Sequence, residues 1–147
     1  SGNVAFEDTD KGLKISAFIS GLTEGSHGFH IHESGSCEDM AKAAGGHYNP
    51  THASHGEALK SGVDKTHAGD MGNIVADAKG QATLSIVLPG VTLSNSKAAV
   101  AGRSVVIHEK IDDFSQPAGN AGGRIACGII GLLTPPAPVT PVPTKNK

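Results

Sequence analysis

Seven short segments of apolar or alternating residues, separated by turn-forming residues, are the feature that most limits how this chain can fold. They occupy residues 4–6, 13–19, 27–33, 73–78, 81–88, 103–108 and 124–133. Alternation with a period of two is typical of strands with one buried face, and no segment has helical periodicity of useful length. Frequent glycine and scarce aromatic residues, with four Phe, one Tyr and no Trp, also favour a loop-rich fold. The pattern predicts an all-β, antiparallel sandwich or barrel.

The length and charge of the chain argue against several classes of protein. With 147 residues it can form one domain with an ordinary core. Its formal net charge of −2 offers no basic patch for nucleic acid. No apolar run approaches the roughly 20 residues that span a bilayer. Proline recurs after residue 133, so we predict a domain over residues 1–133 and a flexible, proline-rich tail over residues 134–147.

Two long loops interrupt the predicted strands, at residues 34–71 and 110–123. Loops of this length in a compact domain are usually either functional or disordered. The first one holds four potential metal ligands, which are His47, His55, His67 and Asp70. Their presence favours a functional loop.

Six of the eight histidines fall into three clusters. They are His30 and His32, then His47, His55 and His67, then His108. Residues 30 and 32 would project from the same face of a strand, which offers two imidazoles to one ion. Imidazole suits copper and zinc, and no thiolate cluster competes for these metals. Because six imidazoles and the carboxylate of Asp70 are enough for two ions, the sequence favours a bimetallic site.

The residues alone leave two points open. His67 and Asp70, spaced His-x-x-Asp, could hold an ion together with His55, and such a nitrogen and oxygen set is usual for zinc. His52 competes with His55 for this role. Taken alone, the pair His30 and His32 is also compatible with incidental histidines on a surface strand.

Five stretches of the sequence resemble the copper/zinc superoxide dismutase family. They are GLTEGSHGFHIHE (21–33), GGHYNP (45–50), HAGDMGN (67–73), VVIHEKIDD (105–113) and GNAGGRIACGIIG (119–131). They occur in the family's order and span nearly the whole chain before the tail. The resemblance implies an immunoglobulin-like Greek-key barrel or sandwich, with copper and zinc as cofactors.

The resemblance also implies a role for each site residue. Copper would bind to His30, His32, His47 and His108. Zinc would bind to His47, His55, His67 and Asp70, so that His47 bridges the two metals. His55 is favoured over His52 because the family's spacing after the bridging histidine matches it, and His27 is interpreted as structural.

Four further residues take roles from the same resemblance. Arg124 would receive an anionic substrate beside the copper, and Asp112 would tie a copper histidine to a zinc histidine. Cys37 and Cys127 would form a disulfide, which indicates an oxidising compartment, either periplasmic or extracellular.

The implied activity is the disproportionation of superoxide to dioxygen and hydrogen peroxide, with superoxide as the substrate and a homodimer as an option. The alternative is a copper- and zinc-binding module of the same fold without turnover. Two features depart from the family pattern: its usual first strand is missing, and the loop between His108 and Arg124 is short. The Ser-Gly-Ser-Cys sequence at residues 34–37 suggests the bacterial-type branch.

Overall fold

Seven strands make up nearly all the regular structure of residues 1–133, which are the residues that the computed structural model describes. They are β1 (Gly2–Thr9), β2 (Gly12–Ser20), β3 (Gly25–His32), β4 (Asp70–Ala76), β5 (Gln81–Leu88), β6 (Ser104–His108) and β7 (Arg124–Ile129). A 3-10 turn at Lys42–Ala44 and the single-turn helix α1 (Ala58–Ser61) lie in the first long loop. All seven predicted strands are therefore confirmed, and the tail predicted for residues 134–147 lies outside the described residues.

The strands form one curled antiparallel sheet in the order β1-β2-β5-β4-β3-β6-β7. Strands β3, β4 and β5 are neighbours in sequence and in space, and β6 returns to lie beside β3. This order is the Greek-key arrangement. The all-β fold class predicted from the sequence is therefore confirmed.

The first hairpin shows how local sequence sets the register of the sheet. Strands β1 and β2 pair from Gly2 with Ile19 to Thr9 with Gly12. In the turn, the Thr9 hydroxyl donates to the Gly12 carbonyl at 2.7 Å, and Gly12 has a φ of 132°, which favours glycine. The register leaves the apolar side chains of β2 buried in the core, namely Leu13, Ile15, Ala17 and Ile19.

Strand β3 is buried on both faces, although alternation had predicted one exposed face. Phe29 and Ile31 pack in the core, whereas His30 and His32 lie on the opposite face and are almost fully buried as well. The first long loop covers this second face. Its backbone pairs with the Ile31 peptide, through Tyr48 N to Ile31 O at 2.8 Å and Ile31 N to Gly69 O at 2.9 Å. The close approach requires glycine at position 69, because a Cβ there would lie 2.1 Å from Ile31 O.

The two outer strands of the sheet leave a groove between them. Within residues 1–133, β1 pairs only with β2, and β7 pairs only with β6. Because all neighbours are antiparallel and the number of strands is odd, these two edges run in the same direction. A cavity of about 900 Å³ separates them, and apolar side chains such as Phe6 and Ile129 line it. One further strand, antiparallel to both edges, would fit this position.

The predicted disulfide between Cys37 and Cys127 is present and joins the first long loop to β7. The two cysteines are 90 positions apart. In the chain-entropy account, closing a loop of that length stabilises the folded state by about 4–5 kcal/mol. Among the described residues, no helix is long and apolar enough to cross a membrane.

Candidate metal centre

Four histidines meet on the face of β3 that points away from the core. His30 and His32 come from β3, and His108 comes from the end of the neighbouring strand β6. His47 joins them from the first long loop, and its ring stacks on that of His30 with centroids 3.9 Å apart. One nitrogen of each histidine lies within 4.8 Å of the others. We call His30, His32, His47 and His108 the four-histidine group.

A second group forms around Asp70 at the start of β4. It contains His47, His55, His67 and Asp70, whose ligand atoms also lie within 4.8 Å of one another. Asp70 Oδ1 lies 2.9 Å from His47 Nδ1 and 3.1 Å from His67 Nδ1. Asp70 Oδ2 accepts a hydrogen bond from Gly56 N at 2.8 Å and lies 2.9 Å from His55 Nδ1. We call this set the His–Asp group, and it shares His47 with the four-histidine group.

Asp112 connects the two groups from behind. His30 Nε2 donates to one carboxylate oxygen at 2.7 Å, and His55 Nε2 donates to the other at 2.9 Å. The carboxylate has no exposed surface. The Asn73 side chain fixes the Asp112 backbone, accepting from its N–H at 2.7 Å and donating to its carbonyl at 3.0 Å.

The histidine nitrogens that protein acceptors do not use are available to metals. His32 Nδ1 is paired with Gly45 O at 3.0 Å and His108 Nδ1 with Gly122 O at 3.2 Å, and the two Nε2 atoms lie 3.3 Å from each other with no other protein partner. His30 Nδ1 is buried without a hydrogen-bond partner, whereas the buried His55 Nδ1 lies 2.9 Å from Asp70 Oδ2. Such orphaned buried atoms are rare in folded proteins. Imidazole ligands usually carry an outer acceptor on the second nitrogen, so the residues fit two metal ions.

Burial disfavours a proton on three members of the four-histidine group. It lowers the pKa of His30 to about 4 and that of His32 to about 3, and it also lowers the pKa of His108. A neutral imidazole has a lone pair to donate, whereas a protonated one has none. The group is therefore ready to bind a metal near neutral pH.

The His–Asp group is charged instead. Burial opposes ionisation of Asp70, but hydrogen bonds to His47, His55 and His67 outweigh it and hold the pKa of this carboxyl well below its usual range. The pKa of Asp112 is lowered in the same way, with hydrogen bonds to His30 and His55 exceeding the effect of burial. Burial also disfavours a charged His55, yet its bonds with Asp112 and Asp70 raise its pKa to about 9. A proton on His55 therefore competes with a metal.

Arg124 stands at the mouth of the four-histidine group. It begins β7, opposite His108 in the register with β6. Its guanidinium donates to Ala41 O and Gly45 O, which holds it against the first long loop. A pocket of about 300 Å³ is lined by Arg124 together with His32, His47 and His108. Solvent can therefore reach the group beside a fixed positive charge.

The two remaining histidines lie outside both groups. His27 is buried, and its Nδ1 donates to the His108 carbonyl at 2.8 Å, while its Nε2 lies 2.9 Å from Thr23 O. It thus has the structural surroundings that were expected for it. His52 is exposed on the first long loop. The structure brings His55, and not His52, to Asp70.

Comparisons with known proteins agree with this geometry. The family model described as copper/zinc superoxide dismutase matches residues 1–130. The chain belongs to the copper/zinc superoxide dismutase family. Extracellular superoxide dismutases [Cu-Zn] of Caenorhabditis elegans and Drosophila melanogaster are 43% and 41% identical to it, over 90% and 89% of the chain. The chain spans 61% of the length of the first of these relatives and 75% of the second.

Two further similarities extend across most of both proteins. Superoxide dismutase [Cu-Zn] A of Xenopus laevis is 41% identical, with 89% of each chain covered. A crystal structure of the clock protein EA4 matches with a TM-score of 0.81 and 37% identity, covering 90% of this chain and 87% of that one. The three named relatives are animal proteins, so they give no support to the bacterial-type branch. Copper and zinc are the cofactors that this family implies, and both groups of residues fit them.

Sequence reasoning missed two residues of the second long loop that contact His55. Gln116 Oε1 accepts from His55 N at 3.0 Å, and its Nε2 donates to His55 O at 2.8 Å. The Phe114 ring lies nearly parallel to the His55 imidazole, with centroids 6.5 Å apart. A lone Gln and a lone Phe in a loop carry no metal-ligand signal, so the sequence offered nothing to single them out.

Proposed function

We propose that the protein catalyses the disproportionation of superoxide, in which two superoxide anions and two protons give one dioxygen and one hydrogen peroxide. The observation that carries the proposal is that His47 belongs to two adjacent four-residue groups. An imidazole shared by two metal sites couples them, because a change at one metal alters the ligand of the other. The names of the relatives support the same activity.

The two groups differ in the metal they suit. The four-histidine group offers nitrogen alone, and we assign copper to His30, His32, His47 and His108. The His–Asp group offers three nitrogens and a carboxylate, the usual tetrahedral set for zinc, so we assign zinc to His47, His55, His67 and Asp70. Copper would supply the one-electron redox change, whereas zinc has no redox chemistry and would fix the loop and His47.

The protein's own residues handle the anion and the proton. Arg124 carries a permanent positive charge beside the mouth of the four-histidine group and would hold the incoming superoxide. His47 uses Nδ1 toward Asp70, so Nε2 is the nitrogen that can hold a proton on the substrate side.

Metal analysis and a superoxide-decay assay on the reconstituted protein test this proposal. We expect one copper and one zinc per chain and rapid removal of superoxide. His47→Ala should lose activity and loosen both ions, whereas the exposed His52→Ala should match the wild type. A wild-type protein that holds both metals and leaves superoxide decay at the uncatalysed rate would be the metal-binding module without turnover, and would overturn the proposal.

An oxidising compartment, extracellular or periplasmic, suits the protein. Disulfides such as the one between Cys37 and Cys127 are typical of compartments where thiols are not kept reduced. Two relatives are named extracellular enzymes, which supports the same location.

Three finer predictions stay proposals. A homodimer is supported by Ile125 and Ile129, which are 48% and 61% exposed on the edge strand β7. Assignment to the bacterial-type branch rests on the Ser-Gly-Ser-Cys sequence at residues 34–37 and on the short second loop. The net charge of −2 argues against a nucleic-acid partner.

A further inference from the structure

The backbone of His55 is held by a single side chain from another loop. His55 lies in the first long loop, three positions before α1 begins at Ala58. Its N–H donates to Gln116 Oε1 at 3.0 Å, and its carbonyl accepts from Gln116 Nε2 at 2.8 Å. A planar amide thus pairs with both backbone polar groups of one residue, much as a neighbouring strand would. Gln116 thus provides the backbone hydrogen bonds that a neighbouring strand would provide if His55 lay in a sheet.

The same loop also holds the ring of His55. Asp112 accepts from His55 Nε2, and Phe114 N donates to the same Asp112 oxygen at 2.9 Å. The Phe114 ring packs nearly parallel to the imidazole, with an interplanar angle of 19°. Together these contacts direct His55 Nδ1 toward Asp70. The backbone and the ring are therefore fixed by neighbouring residues of the second long loop.

The four members of the four-histidine group depend less on a side chain of this kind. His30 and His32 are set by the ladder of β3, and His108 by that of β6. Tyr48, beside His47, is paired with the β3 backbone at Ile31. A ligand without such pairing must lose more backbone freedom when it binds a metal, which costs affinity.

We propose that Gln116 is a positioning residue for the zinc site, holding His55 in place before metal binds. The inference rests on the proposed assignment of zinc to the His–Asp group. Losing an outer hydrogen-bond partner of a ligand typically costs about 10-fold to 100-fold in metal affinity. We expect loss of the Gln116 amide to lie near the lower bound, since Asp112 still holds the ring.

Two variants and a matched control test this role. Gln116→Met keeps the length of the side chain and removes both hydrogen bonds, whereas Gln116→Glu keeps the acceptor for His55 N and removes the donor to His55 O. Gln81→Met is the control, because Gln81 is an exposed residue at the start of β5. For each protein we would measure the release of zinc and of copper to a chelator. Hydrogen exchange of the His55 amide would be measured in the metal-free form.

We expect zinc release to be about tenfold faster in Gln116→Met than in the control, and copper release to be within about twofold of the control. The His55 amide should exchange faster in Gln116→Met and stay protected in Gln116→Glu, which rescues half of the contact. Cobalt placed in the His–Asp group should show an altered visible spectrum in Gln116→Met only.

Two results would overturn the proposal. One is zinc release in Gln116→Met equal to that of Gln81→Met. The other is an equal acceleration for both metals with a lower melting temperature, which would mean that Gln116 only stabilises the fold. If Gln116→Met does not fold, Gln116→Glu decides: zinc release faster than in Gln81→Met supports the role, because the donor to His55 O is lost, and release equal to or slower than in Gln81→Met overturns it. A wild-type zinc content unaffected by His55→Ala would instead refute the zinc assignment itself.

Discussion

Removing the Asp112 carboxylate should weaken both metal sites, and zinc more than copper. Two imidazoles donate to this carboxylate, at 2.7 Å from His30 and 2.9 Å from His55, and its side chain has no exposed surface. A hydrogen bond to a charged group is worth about 1.5–3 kcal/mol, and about 1.4 kcal/mol is a factor of ten in affinity. Asp112→Ala should therefore cost each metal about 10-fold to 100-fold.

The difference between the metals follows from where the two histidines lie. His30 keeps its place on β3 and its stacking on His47, so only the orientation of its ring is loosened. His55 is on a loop, and without Asp112 its ring is aligned only by Asp70 and the Phe114 ring. We expect the zinc affinity to fall toward the upper end of that range, and the copper affinity toward the lower end.

Competition titrations with chromophoric chelators would measure both affinities, and Asp113→Ala is the matched control. Asp113 is the next residue, and its exposed carboxylate accepts only from Ser115 and Asn120 of its own loop. Asp112→Asn, which preserves the volume, would separate loss of the carboxylate from loss of packing. Affinities of Asp112→Ala within about twofold of Asp113→Ala for both metals would refute the reasoning. A loss of affinity for copper alone would refute the inference that His55, as a loop residue, depends more on Asp112 than His30 does.

Three further outcomes are expected. Arg124→Ala should keep both metals but lower the second-order rate with superoxide at least several-fold in a direct decay assay. Added salt should slow the wild type more than the variant, because exposed charges are screened. A variant as fast as the wild type would show that Arg124 does not capture superoxide. Reduction of the disulfide, or Cys127→Ser, should lower the free energy of unfolding by about 4–5 kcal/mol in urea titrations, and an unchanged midpoint would contradict this. The metal-free protein should lose stability as pH rises from about 6.5 to about 9, since folded His55 keeps a proton that the unfolded chain releases. In His55→Gln the free energy of unfolding should depend less on pH over this range.

The positions of the histidines were predictable because strand periodicity and residue type carry the information. Residues 30 and 32 share a face in any strand, and β3 contains both. Residue 108 closes a short apolar run that forms β6. The bridging position of His47 came from the family resemblance instead. Nothing in its own loop sequence specifies that two groups should meet there.

Tertiary contacts explain what the sequence did not predict. The last segment was expected to continue as a strand to residue 133, but β7 ends at Ile129. Beyond it, Ile130 makes irregular backbone bonds to Gly102 and Arg103 in the turn before β6. In the opposite direction, the segment predicted over 4–6 extends to Gly2–Thr9, because ladder pairing with β2 includes polar residues that local propensity does not favour as strand.

The open groove and the metal sites lie on opposite faces of the same strands. Phe29, Val105 and Ile107 line the groove between β1 and β7. The intervening positions of β3 and β6 carry His30 and, at the end, His108, which face the metals. Because successive side chains alternate across a sheet, a change at the groove alters the core without moving a ligand directly. The ligands, in turn, connect β3, β4 and β6 to the first long loop, so metal that binds the folded chain more tightly than the unfolded chain stabilises the folded state. The sheet has two unpaired edges among its described residues. We therefore expect a large difference in stability between the metal-bound and the metal-free protein.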